Sequence, residues 1–524
     1  MASTEQFCKN YLVVDAQKAS LYDVGCILIC SKDHLNSKSF YKERSQDVER
    51  SRLDKFWQQW FIFASVLAQK FLIWAKSPMA WIGSKVEIWL NLLSSNGGFF
   101  RLVINRIQGK VVKPEESPEK FMSIMGELDP RLKMDASIRK GDGRYNRSLA
   151  ILAAKLSYEN EAFVKVAIQD HLKMEFIGFY KFWNDYRNQF TTYATMFQDT
   201  SDPNLIVVAF RGTGPFDAED WITDVDISWY ELIDTKTSKP IGQIHGGFMK
   251  ALGLQNIEGW PKELENPTDE HPFAYYTIRE KLKEILLKKE NAKFIVTGHS
   301  LGGALAILFA GVLGLHEETW LLKRLEGVYT FGQPRVGDEC FGKYMMKMIE
   351  DHHLGYFRYV YSNDLVPRLP YDDRALFFKH FGQSLYFNSF YNGKVLKEEP
   401  NKNYFALVWV IPKYINACWE IIRSFILPYW KGKEYREEHI EKLYRLVVGL
   451  VIPGLAAHGC KDYVDVSILG TDLVPTIANM TKDEQEWNSS FSTEWDSTNN
   501  SIFYFFDGGL FLASKNGMLG GFLG

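Results

Sequence analysis

Apolar positions along this chain fall into three recurrent patterns. Short runs rich in β-branched and aromatic residues, each closed by a glycine or polar turn, occupy residues 205–210, 294–296, 327–331 and 356–361. They read as buried strands. Residues 192–197 precede the first of these runs across the turn-rich stretch 199–204, so those two read as a strand pair. The second pattern begins near Gly141 and spaces Leu149, Leu152, Ala153, Leu156, Ala162 and Val166 three and four apart, as on one face of a helix. The third pattern is long and aromatic. Residues 56–75 are almost continuously apolar, and after Ser77-Pro78 a weaker run continues over 79–93 with Lys85 and Glu87 inside it.

The first aromatic run is long enough to cross a hydrocarbon core, which needs about 20 residues. Lys70 and three glutamines make the bilayer centre costly for it. Two runs parted by a proline predict instead a helical hairpin that dips into one leaflet, with Trp57, Trp60, Trp74, Trp81 and Trp89 at the interface. The competing expectation is a helical pair packed on a catalytic domain. A similar apolar character returns at 404–411, 417–430 and 443–455, each run interrupted by Pro, Lys, Glu or Arg. These runs predict a lipid-facing cap, with a buried helical insertion as the alternative. The implied organisation is an N-terminal segment 1–50, a hydrophobic membrane- or droplet-associating region 51–113, and a linker at 114–120. A catalytic α/β domain follows over 140–480 with an apolar insertion at about 385–450, and then a tail, 481–524.

Composition narrows the function classes. Of 524 residues, 61 are Lys or Arg and 64 are Asp or Glu, a net charge of −3, so nothing points to nucleic acid. Aromatic content is 15%, a level that suits contact with a lipid interface. Cys8, Cys26, Cys30, Cys340, Cys418 and Cys460 are scattered without zinc-like spacing. No basic segment followed by an apolar core opens the chain. A reducing, cytosol-facing and non-secreted location is therefore expected. The Asn-x-Ser/Thr sequons at Asn146, Asn479, Asn488 and Asn499 then have no glycosylation role.

The chemistry concentrates where the 294–296 strand turns into an Ala/Leu-rich helix. There, Gly298-His299-Ser300-Leu301-Gly302 has the G-x-S-x-G spacing of a nucleophile elbow. Such a turn is too tight for a Cβ at either glycine, and it exposes the Ser300 hydroxyl at the N-terminus of a helix, whose partial positive charge favours an oxyanion. His299 points away from its neighbour's hydroxyl and is read as structural. The strand 205–210 runs into Arg211-Gly212-Thr213-Gly214, where the Thr213 hydroxyl can donate to an oxyanion. The Leu301 amide is the second expected donor. Residues 215–226, mixed acidic and apolar, read as a flap over the site. Asp364, just past the 356–361 strand, is the favoured acid over Asp338, Asp372 and Asp373. The base must follow it among His380, His439 and His458, and the small-residue turn around His458 favours that position. No metal or cofactor is called for by this chemistry.

Six motifs together resemble the class 3 lipases, an α/β-hydrolase family. They are Val207-Val-Ala-Phe-Arg-Gly-Thr213, Asp220-Trp-Ile-Thr-Asp224, Ile244-His-Gly-Gly-Phe248, Thr297-Gly-His-Ser-Leu-Gly-Gly-Ala-Leu-Ala306, Thr330-Phe-Gly-Gln-Pro-Arg-Val-Gly337 and Asn363-Asp-Leu-Val-Pro367. The resemblance implies a Ser300–Asp364–His458 triad with Thr213 and Leu301 as oxyanion donors. The hydrophobic N-terminal region and the large apolar insertion look most like the plant oil-body triacylglycerol lipases. That likeness implies a triacylglycerol substrate at a lipid-droplet or membrane surface. A phospholipase A1 or galactolipase with the same triad, or an inert membrane scaffold, are the alternatives. The chain departs from the small secreted members in lacking their signal peptide and disulfide pattern and in its longer Asp-to-His spacing.

Overall fold

The computed structural model describes residues 8–44, 52–114, 117–234, 239–255, 260–264, 269–372, 377–432, 435, 437 and 439–473, and the backbone of three short strands within 501–518. Before residue 400 the strands are β1 (Cys8–Val14), β2 (Tyr41–Arg44), β3 (Glu175–Asn184), β4 (Gln189–Gln198), β5 (Leu205–Phe210), β6 (Trp229–Ile233), β7 (Pro240–His245), β8 (Lys293–His299), β9 (Leu325–Phe331), β10 (Gly355–Tyr361), β11 (Ser384–Phe387) and β12 (Gly393–Leu396). Eight of them form one sheet in the order β12-β11-β10-β9-β8-β5-β4-β3. Strands β5, β8, β9, β10 and β11 run parallel, and antiparallel strands close both edges.

The central strands are apolar throughout because both faces of the sheet are covered. In β5, Ile206, Val208 and Phe210 point into a core shared with Leu305, Leu308 and Phe309 of the helix Leu301–Leu315. The alternating residues Leu205, Val207 and Ala209 meet Leu149 and Ala153 of the helix Tyr145–Leu156. The expected strand pair 192–197 and 205–210 is thus present as β4 and β5. The helical pattern that starts near Gly141 is split into Tyr145–Leu156 and Glu161–Val166. Asn160 divides them, its side chain accepting the Phe163 N–H at 3.1 Å as an N-cap.

The N-terminal residues supply two strands of a second sheet, ordered β2-β1-β6-β7. Beside it runs the largest departure from the sequence reading. The expected break at Ser77-Pro78 is absent, and a single 44-residue helix spans Arg52–Ser95 with Pro78 inside it. An interior proline costs about 3 kcal/mol, and here contacts on both sides of Pro78 offset it. Ile62 and Val66 pack with Leu12, Val24, Ile27 and Trp229. The Ser65 hydroxyl donates to the Val225 carbonyl at 2.6 Å, and Lys76 pairs with Glu219 at 2.9 Å. Past the proline, Gly83 abuts Phe216 so closely that a Cβ there would stand 2.7 Å from the Phe216 Cβ. Asn91 exchanges two hydrogen bonds with the Met122 backbone. Among the described residues no helix is long and apolar enough to cross a membrane.

Polarity is inverted along part of this helix. Its inner face buries Gln58, Ser65, Gln69 and Asn91 beside Ile62, Val66, Leu90 and Leu93, while Trp57, Trp60, Phe71, Trp74, Trp81 and Trp89 face out. The insertion repeats the inversion in the helices Val410–Trp430 and His439–Val451. Glu420, Arg423 and Arg445 are buried, and Ile411, Ile415, Phe425, Trp430, Leu446 and Val447 are exposed. The buried charges are matched. Arg423 donates to the Tyr361 hydroxyl, the Ser389 carbonyl and Asp462, and Arg445 engages Glu437, Glu441 and Asp462. Charge inward and hydrocarbon outward is the reverse of a water-facing helix.

Candidate active site

Strand β8 delivers the chain to Ser300, whose backbone is held at φ +58° and ψ −130°, a strained conformation for a residue with a side chain. The two elbow glycines make that turn possible. A Cβ on Gly298 would stand 2.1 Å from the Gly302 carbonyl carbon, and one on Gly302 would stand 2.2 Å from the Phe210 carbonyl oxygen. The Ser300 N–H donates to Phe331 at the end of β9, 2.9 Å away. Leu301 is the first residue of the following helix, so its N–H has no intrahelical acceptor.

The residues expected as acid and base, Asp364 and His458, come from different parts of the chain to one corner of the sheet. Gly332, directly after β9, has φ +60°, and a Cβ on it would stand 2.8 Å from His458 Cε1 and 2.9 Å from Asp364 Oδ2. The corner is therefore packed around the residue next to the one that holds the Ser300 amide. Asp364 follows β10 and is fully buried. It accepts three hydrogen bonds: from His458 Nδ1 at 2.9 Å, from the Tyr463 hydroxyl at 2.5 Å and from the Val366 N–H at 2.9 Å. His458 lies on the turn between the helices Pro453–Ala456 and Cys460–Leu469, and its Nε2 is buried without a hydrogen-bond partner.

Three of the competing residues, His380, Asp338 and Asp372, are engaged elsewhere. His380 Nε2 lies 2.6 Å from the Pro367 carbonyl, beside the buried Glu399. His439 opens a helix of the insertion. Asp338 caps the helix Glu339–Asp351 by accepting the Phe341 N–H, and Asp372 pairs with Lys402. Asp373 lies outside the described residues.

His299 bridges Tyr158 and the backbone of His458. Its Nδ1 lies 2.8 Å from the Tyr158 hydroxyl and its Nε2 lies 2.8 Å from the His458 carbonyl. Burial holds its imidazole well below the ordinary histidine range, so the ring is neutral. Sequence reasoning did not anticipate Tyr158 or Tyr463. Tyr158 sits on the turn just after the helix Tyr145–Leu156 and Tyr463 in the helix Cys460–Leu469, and nothing local marks a tyrosine whose partner is more than ninety residues away.

On the opposite side, the Thr213 hydroxyl donates to Asp224 at 2.6 Å. Desolvation pushes the Asp224 carboxyl up to about 7, with the Thr213 hydrogen bond and the nearby His458 pulling the other way. Asp224 belongs to the stretch expected as a flap. That stretch forms the helix Ala218–Val225, capped by Asp217 and held by ion pairs from Arg211 to Asp217 and Asp220 and from Arg187 to Glu219. Its outer side rests on the long Arg52–Ser95 helix through the Ser65 and Lys76 contacts already described.

A mixed sheet with parallel central strands, a strained serine between strand and helix, and an Asp–His pair beyond the later strands define an α/β-hydrolase. Residues 207–374 match the family model described as lipase (class 3). The chain is 41% identical over 484 residues to a triacylglycerol lipase OBL1 of Nicotiana tabacum, covering 79% of this chain and 83% of the tobacco protein. It is 40% identical to a triacylglycerol lipase OBL1 of Arabidopsis thaliana, covering 88% of this chain and 95% of that protein. Among solved structures, the native propeptide complex of the Rhizomucor miehei lipase is 25% identical and covers 48% of this chain and 70% of that one, with a TM-score of 0.33. The chain belongs to the class 3 lipase family and is similar over 79% and 88% of its length to these two OBL1 lipases.

Proposed function

We propose that this lipase hydrolyses triacylglycerol, and the partial acylglycerols that result, at the cytosol-facing surface of a lipid droplet. The observation that carries the catalytic assignment is the His458 Nδ1–Asp364 hydrogen bond, which leaves Nε2 buried and unpartnered beside the serine elbow. His458 Nε2 takes the Ser300 proton as the oxygen attacks the ester carbonyl, and Asp364 stabilises the imidazolium. The Leu301 N–H and the Thr213 hydroxyl stabilise the tetrahedral oxyanion. While Asp224 is protonated, its carboxyl can donate to Thr213 Oγ1, which releases the Thr213 hydrogen towards the substrate. His458 then gives its proton to the departing glycerol oxygen, and water cleaves the acyl-enzyme by the same steps in reverse order. The droplet assignment draws its support from the inverted polarity of the Arg52–Ser95 helix and of the insertion, whose hydrocarbon faces outward.

The test compares wild type with Ser300→Ala on emulsified triacylglycerol and on phosphatidylcholine, together with fluorophosphonate labelling. Release from triacylglycerol and labelling of the serine are expected in wild type, with both lost in the variant. Release mainly from phosphatidylcholine would make the enzyme a phospholipase. Wild-type rates in Ser300→Ala would refute the triad, and no release or labelling at all would leave an inert scaffold.

A further inference from the structure

The N-terminal corner of the fold holds a set of soft ligands that the lipase chemistry does not use. Cys26 lies in the helix Leu21–Ile29, and Cys30 caps that helix, its N–H donating to the Cys26 carbonyl at 2.8 Å. The chain then turns at Ser31, whose hydroxyl accepts the His34 N–H at 3.4 Å and so starts the helix Lys32–Asn36. This corner between two short helices bends Cys26, Cys30 and His34 towards one point. Their sulfur and imidazole nitrogen atoms all lie within 4.8 Å of one another. Among the described residues this is the one such group of three or more potential ligands. Linear spacing hides it, because Cys-x3-Cys-x3-His brings three ligands to one point only when the helix is interrupted after the second.

We propose that Cys26, Cys30 and His34 bind a thiophilic metal ion of the zinc(II) class. Thiolate and imidazole are the ligands that zinc favours. Tetrahedral thiolates with Zn–S of about 2.3 Å stand about 3.8 Å apart, so the group has to contract by no more than about 1 Å. Binding releases the two thiol protons, and the two thiolates then neutralise the dication while His34 binds as neutral imidazole. The fourth position faces the exposed side of the corner, where solvent fills it. Cys26 and Ile27 pack against Ile62 and Val66 of the Arg52–Ser95 helix. The ion therefore clips the two short helices together where they abut the aromatic helix, and its role is structural.

The test is a cobalt(II) titration of the reduced full-length protein, with zinc content measured on the protein as purified. Cys26 is core-packed, so the informative variants are Cys30→Ser, at a half-buried position, and His34→Ala, at an exposed one; Cys340→Ser is the control. Wild type and the control should bind one cobalt with the intense visible bands and sulfur charge-transfer absorption of a tetrahedral thiolate site, displaced by zinc. Cys30→Ser should lose the charge-transfer band, and His34→Ala should weaken affinity by more than about tenfold. Cobalt absorption absent from wild type, or unchanged in the Cys30→Ser/His34→Ala double variant, would overturn the site. Lipase activity does not enter the readout.

Discussion

Removing three outward aromatics from the long helix isolates adsorption from chemistry. Phe71, Trp74 and Trp81 lie on one stripe and are 60%, 74% and 64% exposed. An aromatic side chain presents about 150–250 Å², so each leaves roughly 130 Å² open to whatever covers the helix. At about 25 cal/mol per Å², full insertion of that area is worth about 3 kcal/mol, and a helix lying in the interface plane realises about half of it. Three alanines therefore remove about 4–5 kcal/mol, or about three orders of magnitude in partitioning to a lipid surface. Alanine is a strong helix former and the positions face outward, so the fold loses little. Flotation with triacylglycerol emulsions measures adsorption, and a soluble short-chain ester measures the catalytic centre in parallel. The expected result is adsorption lost by about a thousandfold with the soluble-ester rate unchanged. Adsorption within a few-fold of wild type would show that this face does not meet lipid, and the inverted-polarity argument would fail.

Two further substitutions probe the interior. Tyr463→Phe removes one of the three donors to Asp364, and a hydrogen bond to a charged group is worth about 1.5–3 kcal/mol, so turnover should fall at least about tenfold. A soluble-ester rate within a few-fold of wild type would reduce Tyr463 to packing. Glu159, which accepts the Ser123 N–H and hydroxyl at 2.7 Å each, is pushed up to about 7 chiefly by burial. A carboxyl raised on folding holds its proton more tightly in the native state, so its contribution is present at low pH and is lost as pH climbs from the ordinary carboxylate range through about 7. Denaturant unfolding of Glu159→Gln should therefore gain on wild type between pH 4 and pH 8, by up to about 3 kcal/mol, and a pH-independent difference between the two would refute the assignment.

Local pattern carried the parts of this protein whose cause is local. The elbow was legible because a strand, two obligatory glycines and a small-residue helix sit within a dozen positions, and the structure shows backbone atoms where a Cβ on Gly298 or Gly302 would stand. β4, β5, β9 and β10 were legible from their runs, as was the position of Asp364 just beyond one of them. Tertiary structure decided the rest. The small-residue turn favoured His458 over His380 in sequence, but its contact with Asp364 spans 94 residues and the His299 contact spans 159. No periodicity of 2 or 3.6 residues encodes such separations. The helix through Pro78 was misjudged for the same reason: the proline's local cost is visible in sequence, whereas the Ser65, Lys76, Gly83 and Asn91 contacts that offset it come from segments far along the chain. The apolar runs declared their hydrophobicity, but only packing determined that their charged residues turn inward onto Asp462 and Tyr361 and leave hydrocarbon facing out. Sequence alone determined which residues can do chemistry and which must be strands. Three-dimensional packing decided which of them meet, because burial and hydrogen bonding are settled between segments and not within them.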